Sequence, residues 1–105
     1  MEAPVVRLVN VILLSAIKKG ATRVIVADNA VHFEIGGALQ LDTDVPGQLH
    51  GYLIRRLGVM ANLPAYGTGQ SAHGQIMLEH RGDITTFAIE ITGHGDAARA
   101  ELQRI

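Results

Sequence analysis

Near its start the chain reads PVVRLVNVILLSAIKKG over residues 4–20, a strongly apolar run whose assignment governs every later interpretation. Its apolar part, Val5 to Ile17, is interrupted by Arg7 and Asn10 and is far shorter than the roughly 20 apolar residues of a membrane span. A signal peptide would carry its positive charge before the apolar run and a small-residue cleavage site after it. Here the run follows Pro4 and ends in Lys18-Lys19-Gly20. That order predicts a helix of the fold from about Val5 to Lys19, with a basic last turn and a glycine cap.

Three short antiparallel strands are predicted after this helix. Residues 22–27 form a β-branched run, and the Asp28-Asn29 pair that follows suits a tight hairpin. Over residues 31–35 apolar side chains alternate with polar ones, so one face of this strand should be buried and the other solvated. Gly36-Gly37 then makes a turn into a third strand over 38–41, and residues 42–46 are expected to form a polar turn.

The second half of the chain predicts one more helix, two strands and a C-terminal helix. The helix should span about Gly47 to Leu63 and end at Pro64, with one apolar face made of Leu49, Leu53, Leu57, Met60 and Ala61. Residues 64–74 are rich in Gly, Ser and Thr and are expected to be irregular. Strands are predicted over 75–79 and 84–91, around a turn at residues 81–83. Residues 96–104 have helix composition, with Asp96 suited to a first helical turn.

Composition limits the function classes. The 105 residues are 48% apolar, carry a formal charge of −1 and contain no cysteine. This length predicts a single domain over residues 1–105, and the charge balance gives no basic face for nucleic acid. Without cysteine there is no disulfide, thiolate metal site or thiol nucleophile, and a small domain without such links fits a reducing, cytoplasmic compartment. We expect no membrane partner either.

The first helix also carries a family resemblance. Residues 5–21 resemble the start of the PAS-like N-terminal domain of the type II secretion and type IV pilus assembly ATPases. The similarity continues through residues 31–39; the matching segment of the family ends in Asp-Gly-Val-Leu. It resumes over residues 49–63, which include Arg55-Arg56-Leu57 and Met60-Ala61-Asn62-Leu63. Gly74-Gln75-Ile76 and His94-Gly95-Asp96 resemble the family's Asp-Gly-Arg-Ile and His-Gly-Glu. The resemblance implies a PAS-like α/β (α+β) fold: an antiparallel sheet of about five strands with helices packed mainly on one face.

The departures from the family concern its charged residues. Thr22-Arg23-Val24-Ile25-Val26-Ala27 stands where the family has Ser-Asp-Ile-His-Ile-Glu. The two arginines of its second strand are His32 and Glu34 here, and its late arginine strand is Thr85-Thr86-Phe87-Ala88. The resemblance therefore implies a stand-alone domain without the ATPase body. This domain keeps the family's hydrophobic framework but lacks the charged residues that the family domain would contribute to nucleotide or to its neighbour.

We expect no catalytic, cofactor or metal site. No Gly-x-x-x-x-Gly-Lys-Ser/Thr occurs, and Gly67-Thr68-Gly69 lacks the lysine of a phosphate loop. Ser15 and Ser71 lack the strained turn that activates a hydroxyl. The five histidines have no ligand-like spacing and are expected to be scattered over the surface, with His73 and His94, both in Gly-rich loops, the one pair to check.

The candidate functional residues lie on the two main helices. On the first helix Val11 and Leu14 fall inside the polar arc, either as tolerated exposed side chains or as a second contact surface. On the second helix two glycines seven residues apart lie on one side, where either a partner or the fold itself fills the groove. The candidate interface consists of Arg7, Val11, Leu14, Lys18, Gly51, Arg55 and Gly58.

Two functions remain open at this stage. The first is a non-catalytic protein-interaction or regulatory domain associated with a secretion or type IV pilus ATPase system. Its partner would be such an ATPase, a signalling protein or a second copy of the chain. The second is a PAS-like sensor that holds a small ligand between sheet and helix. A cavity in the core would favour the sensor, and a filled core with an apolar surface patch would favour the interaction domain.

Overall fold

A computed structural model describes residues 4–63, 71–93 and 97–105 of the chain. These residues contain two helices and six strands. In chain order they are α1 (Pro4–Lys18), β1 (Arg23–Ala27), β2 (Ala30–Ile35), β3 (Ala38–Asp44), α2 (Gly47–Met60), β4 (Ala72–His80), β5 (Asp83–Thr92) and β6 (Arg99–Arg104).

Helix α1 has the predicted position and the predicted end. Its buried stripe consists of Val9, Ile12, Leu13 and Ala16. Gly20 adopts a φ of 71°, its N–H donates to the Ile17 carbonyl at 3.2 Å, and the Ala21 N–H donates to the Ala16 carbonyl at 2.9 Å. These two bonds form a Schellman motif, which satisfies carbonyls that the helix end would otherwise leave unpaired.

The strands form one antiparallel sheet in the order β3-β2-β1-β6-β5-β4. Asp28 and Asn29 join β1 to β2 with φ of 53° and 59°, and Gly36 and Gly37 join β2 to β3 with φ of 60° and 82°. Positive φ at both central residues defines the two-residue turn whose twist matches paired strands. Both predicted hairpins are therefore confirmed.

Both helices pack on the same face of this sheet, which confirms the predicted fold class with six strands instead of about five. The core lies between the helices and the sheet, and its largest fully buried side chains include Phe33, Phe87, Leu13, Leu53 and Leu102. The other face of the sheet has no described element on it, and we call it the open face.

The predicted C-terminal helix is wrong, because β6 is a central strand of the sheet. It pairs with β1 on one side, where Val24 lies opposite Leu102, and with β5 on the other, where Ile89 lies opposite Leu102. Ala98, Ala100 and Leu102 are buried and alternate with more exposed residues. This period of two, combined with hydrogen-bond partners on both sides, outweighs the helix propensity of Ala, Glu and Leu.

Three predicted boundaries also move. β3 continues to Asp44, through residues expected to be a turn, and β4 begins at Ala72, inside the segment expected to be irregular. α2 ends at Met60 instead of Leu63. Its end is made by Asn62, whose φ is 57°, while the Leu63 N–H donates to the Gly58 carbonyl at 2.9 Å. Pro64 and Gly67-Thr68-Gly69 lie outside the described residues.

Candidate protein-interaction surface

The outer side of α1 combines apolar and basic side chains. Arg7, Val11, Leu14 and Lys18 lie on the side opposite the buried stripe of Val9, Ile12, Leu13 and Ala16. Val11 is 58% exposed. Leu14 is half-buried, yet it is not among the partly buried apolar side chains that pack against the core. The structure thus brings the four predicted α1 residues together at the surface.

The outer side of α2 differs in part from the prediction. Gly51 and Arg55 are exposed, whereas Gly58 is buried within the fold. The two glycines therefore do not form one open face, and Gly58 is not available to a partner. Tyr52 and Val59, which sequence analysis did not select, are 58% and 53% exposed. Their spacing of seven places them on one side of the helix, and that spacing was the signal that could have identified them.

We define the helix surface by the outward residues of both helices: Arg7, Val11, Leu14, Lys18, Gly51, Tyr52, Arg55 and Val59. Neither α1 nor α2 contains an Asp or Glu. The helices carry four basic residues, Arg7, Lys18, Arg55 and Arg56, and none of them forms an ion pair within the described ranges. The helix surface is therefore basic and partly apolar.

The open face of the sheet differs from the helix surface, because its two arginines are paired with acids. Arg23 lies 3.2 Å from the Glu34 carboxylate and 2.7 Å from that of Glu101. Arg99 adds a contact of 3.6 Å to Glu101. Arg23 is thus shared between two acids across three neighbouring strands, and these charges have partners without a second molecule.

The histidines correct two predictions. His50 is fully buried instead of at the surface, and its Nε2–H donates to the Ala98 carbonyl at 2.8 Å. His73 lies in β4 instead of a loop, 3.3 Å from Glu90, and His94 falls outside the described residues. Within those residues, no group of three His, Asp or Glu is placed to hold a metal ion.

Among the described residues, the gap between the helices and the sheet leaves little room for a small molecule. A gap of about 10 Å³ lies between the helices and the sheet, which is space for about one water. Only aliphatic side chains line it: Val9, Ile12, Leu13, Val24, Val26, Leu53, Leu57 and Leu102. Such a site has no polar group to orient a ligand. In the described part of the chain, no helix combines the length and apolar character of a membrane span.

Comparison with solved structures matches the fold to parts of three ATPase-related proteins. The X-ray structure of the Legionella pneumophila ATPase DotB matches 91% of this chain with a TM-score of 0.70 and 18% identity, over 28% of its own length. The Yersinia pseudotuberculosis ATPase DotB matches all of the chain with a TM-score of 0.72 and 14% identity, over 31% of its length. The pilus retraction motor PilT, crystallised with ADP, matches 88% with a TM-score of 0.57 and 14% identity, over 27% of its length.

These matches confirm the predicted resemblance at the level of the fold. The chain spans less than a third of the length of each of these proteins. No protein-family model matches the sequence, and no curated protein matches it.

Proposed function

We propose that this chain is a non-catalytic protein-interaction domain that associates with an ATPase of the secretion or type IV pilus type. The observation that carries the proposal is the fold match, which covers 91% and 100% of this chain but only 28% and 31% of the two DotB ATPases. The 105 residues include no phosphate-binding loop. What they share with the ATPases is thus a module that accompanies the nucleotide-hydrolysing part.

The helix surface is the face that would meet the partner. Its exposed Val11, Tyr52 and Val59 lie among basic side chains, and apolar residues rimmed by polar ones are typical of interaction sites. Because the basic residues have no acid on their own helices, a partner with acidic side chains around an apolar centre would complement them. The open face is less suited, since its arginines are already paired.

The sensor alternative is less favoured. A bound ligand would need a cavity of several hundred cubic ångströms with a few convergent polar groups. The gap in the core has about 10 Å³ and aliphatic walls. This comparison supports an interaction domain over a sensor domain.

The test measures binding of the purified chain to a purified secretion- or pilus-type ATPase encoded in the same genome, by isothermal titration calorimetry. Leu14→Lys should leave the thermal melting temperature nearly unchanged, because Leu14 is not part of the core. It should weaken binding by on the order of 1 to 3 kcal/mol, roughly 5- to 150-fold in Kd, as expected for an anchor residue.

Met77→Lys is the matched control, because Met77 is 70% exposed and lies on the open face. It should leave the Kd unchanged. Arg55→Glu should weaken binding and reduce its salt dependence, whereas Arg81→Glu in the exposed turn between β4 and β5 should do neither. Absence of binding at about 100 μM of each protein, or equal losses from Leu14→Lys and Met77→Lys, would contradict the proposal.

A further inference from the structure

The edge strand β3 has an exposed first half. Ala38, Leu39, Gln40 and Leu41 are all exposed, with Leu39 at 52% and Leu41 at 57%. Successive side chains of a strand point to opposite faces, so the helices do not reach over this part of the sheet. Beyond it, Asp42 is tied to Lys19 by an ion pair of 2.9 Å. No described residue covers either face of 38–41.

The free backbone groups of this strand can be assigned from its hairpin. Gly36 and Gly37 form a two-residue turn, and Ile35 lies opposite Ala38. The pair that flanks such a turn is hydrogen-bonded, and hydrogen-bonded pairs then alternate along the ladder. Phe33 and Gln40 are therefore bonded to each other, whereas the N–H and C=O groups of Leu39 and Leu41 point away from β2.

Natural edge strands usually carry a device that prevents further pairing, such as a lysine, a proline or a bulge. Residues 38–41 have no charge and no proline. The β2–β3 pairing does contain an irregularity, but it lies after these residues: His32 pairs with Leu41, and Val31 pairs with Thr43. The other edge strand, β4, carries three ionisable side chains, those of His73, Glu79 and His80. The first half of β3 is thus the less protected edge of the sheet.

We propose that this edge pairs with the same edge of a second copy of the chain. The segment Leu39-Gln40-Leu41 reads the same in both directions. A two-fold axis beside Gln40 therefore creates two identical pairs, each with Leu39 of one copy opposite Leu41 of the other. Gln40 of one copy lies opposite Gln40 of the other. In this arrangement the leucine side chains of the two copies pack against each other on the open face, and no like charges face each other over these three residues. The outward N–H and C=O groups of Leu39 and Leu41 form four hydrogen bonds between the copies.

The proposed pairing joins two six-stranded sheets into one and does not involve the helix surface. It is independent of the proposed function, because binding to an ATPase and pairing of β3 use different residues. Because only a few residues of each strand take part, the interface is small, and we expect a weak, concentration-dependent dimer with a Kd of about 10 μM to 1 mM.

The first experiment is sedimentation velocity of the purified chain between about 10 μM and 1 mM, the range of the expected Kd. The wild type should shift from monomer to dimer with increasing concentration. Leu41→Lys should raise the Kd by at least about 10-fold, since lysine on an edge opposes pairing. Met77→Lys, at an exposed apolar residue of the other edge strand β4, should leave the Kd unchanged. A monomer throughout this range, or equal effects of the two variants, overturns the proposal.

The second experiment tests the register and does not depend on a disruptive variant. The chain contains no cysteine, so Gln40→Cys introduces a single thiol at the proposed axis. Facing residues of a pair without mutual hydrogen bonds have Cα atoms about 4.5 Å apart, within the range that a disulfide spans. Mild oxidation should give a covalent dimer rapidly with Gln40→Cys and slowly with Gln75→Cys on β4. Equal rates for the two variants overturn the proposed register.

Discussion

The His50 imidazole connects helix α2 to the segment just before β6. It lies on α2 with no exposed surface, and its Nε2–H reaches the carbonyl of Ala98, immediately before β6. The bond holds a helix against a segment that lies 48 residues further along the chain. Because the carbonyl accepts, Nε2 carries the hydrogen, and the buried Nδ1 has no partner among the described residues. His50 is therefore a structural residue of the core.

We expect His50→Ala to lower the free energy of unfolding by about 2 to 6 kcal/mol. The change leaves a cavity and removes the donor for a buried carbonyl, and each effect costs on the order of 1 to 3 kcal/mol. His32→Ala, at a half-buried position on the open face, should cost less than about 1 kcal/mol. Urea denaturation of the three proteins checks this, and a similar small loss for both variants would contradict the assigned role.

At the scale of the element, β6 differs most from its local sequence. Its residues favour a helix by composition, yet it runs between β1 and β5 and contributes Ala100 and Leu102 to the core, both without exposed surface. The start of β6 is also closely packed. Gly93 has a φ of 75°, and a Cβ at this position would lie 2.6 Å from the Ala97 carbonyl oxygen. Only glycine fits that approach without a backbone shift.

Leu102→Ala should reduce stability by about 2 to 5 kcal/mol, as for a large-to-small change at a fully buried site. Ile105→Ala removes a side chain of the same class three residues later, where 72% is exposed, and should change stability by no more than about 0.5 kcal/mol. The midpoints of urea unfolding measure both changes in stability, provided that the variants show the same dependence of the free energy of unfolding on urea concentration. An exposed C-terminal helix would instead give small losses at both positions, so that result would argue against β6.

At the scale of the whole molecule, charge is distributed unevenly between the two layers. Neither helix contains an acid, whereas the described strands and turns carry charges of both signs, and Lys19, Arg23 and Arg99 among them are paired with acids. Electrostatic complementarity governs partner choice and association rate more than affinity. This distribution supports the two proposals, in which a charged partner docks on the helix surface and a copy of the chain pairs with the uncharged start of β3.

The whole molecule should neither bind nor hydrolyse ATP. The 105 residues contain no phosphate loop, and the resemblance implies that His32, Glu34 and residues 85–88 replace the arginines of the family domain. Isothermal titration calorimetry with ATP at physiological magnesium should detect no stoichiometric site tighter than about 100 μM. The matched DotB or PilT proteins, assayed in parallel, serve as the positive control. A stoichiometric site in this chain would show that nucleotide recognition does not require those arginines.

Much of the fold could be predicted from the sequence, because its signals are local. The apolar stripe and Gly20 defined α1, and the Asp28-Asn29 and Gly36-Gly37 pairs defined two hairpins, since a turn depends on the backbone preferences of its own residues. The family resemblance depended on the order and spacing of these same segments. Four candidate residues on α1 and two on α2 also lie at the surface as their helical positions predicted.

Only the tertiary structure decided the rest, because those features depend on residues distant in the chain. β6 is a strand because β1 and β5 bond to it from both sides, and the Arg23–Glu101 contact joins positions 78 residues apart. His50 and Gly58 are buried because other elements cover α2 at those positions, whereas nothing described covers Leu39 and Leu41. Helix propensity differs among ordinary residues by less than about 1 kcal/mol each. Burial of a large side chain and pairing on both sides of a strand contribute more, and so they override it.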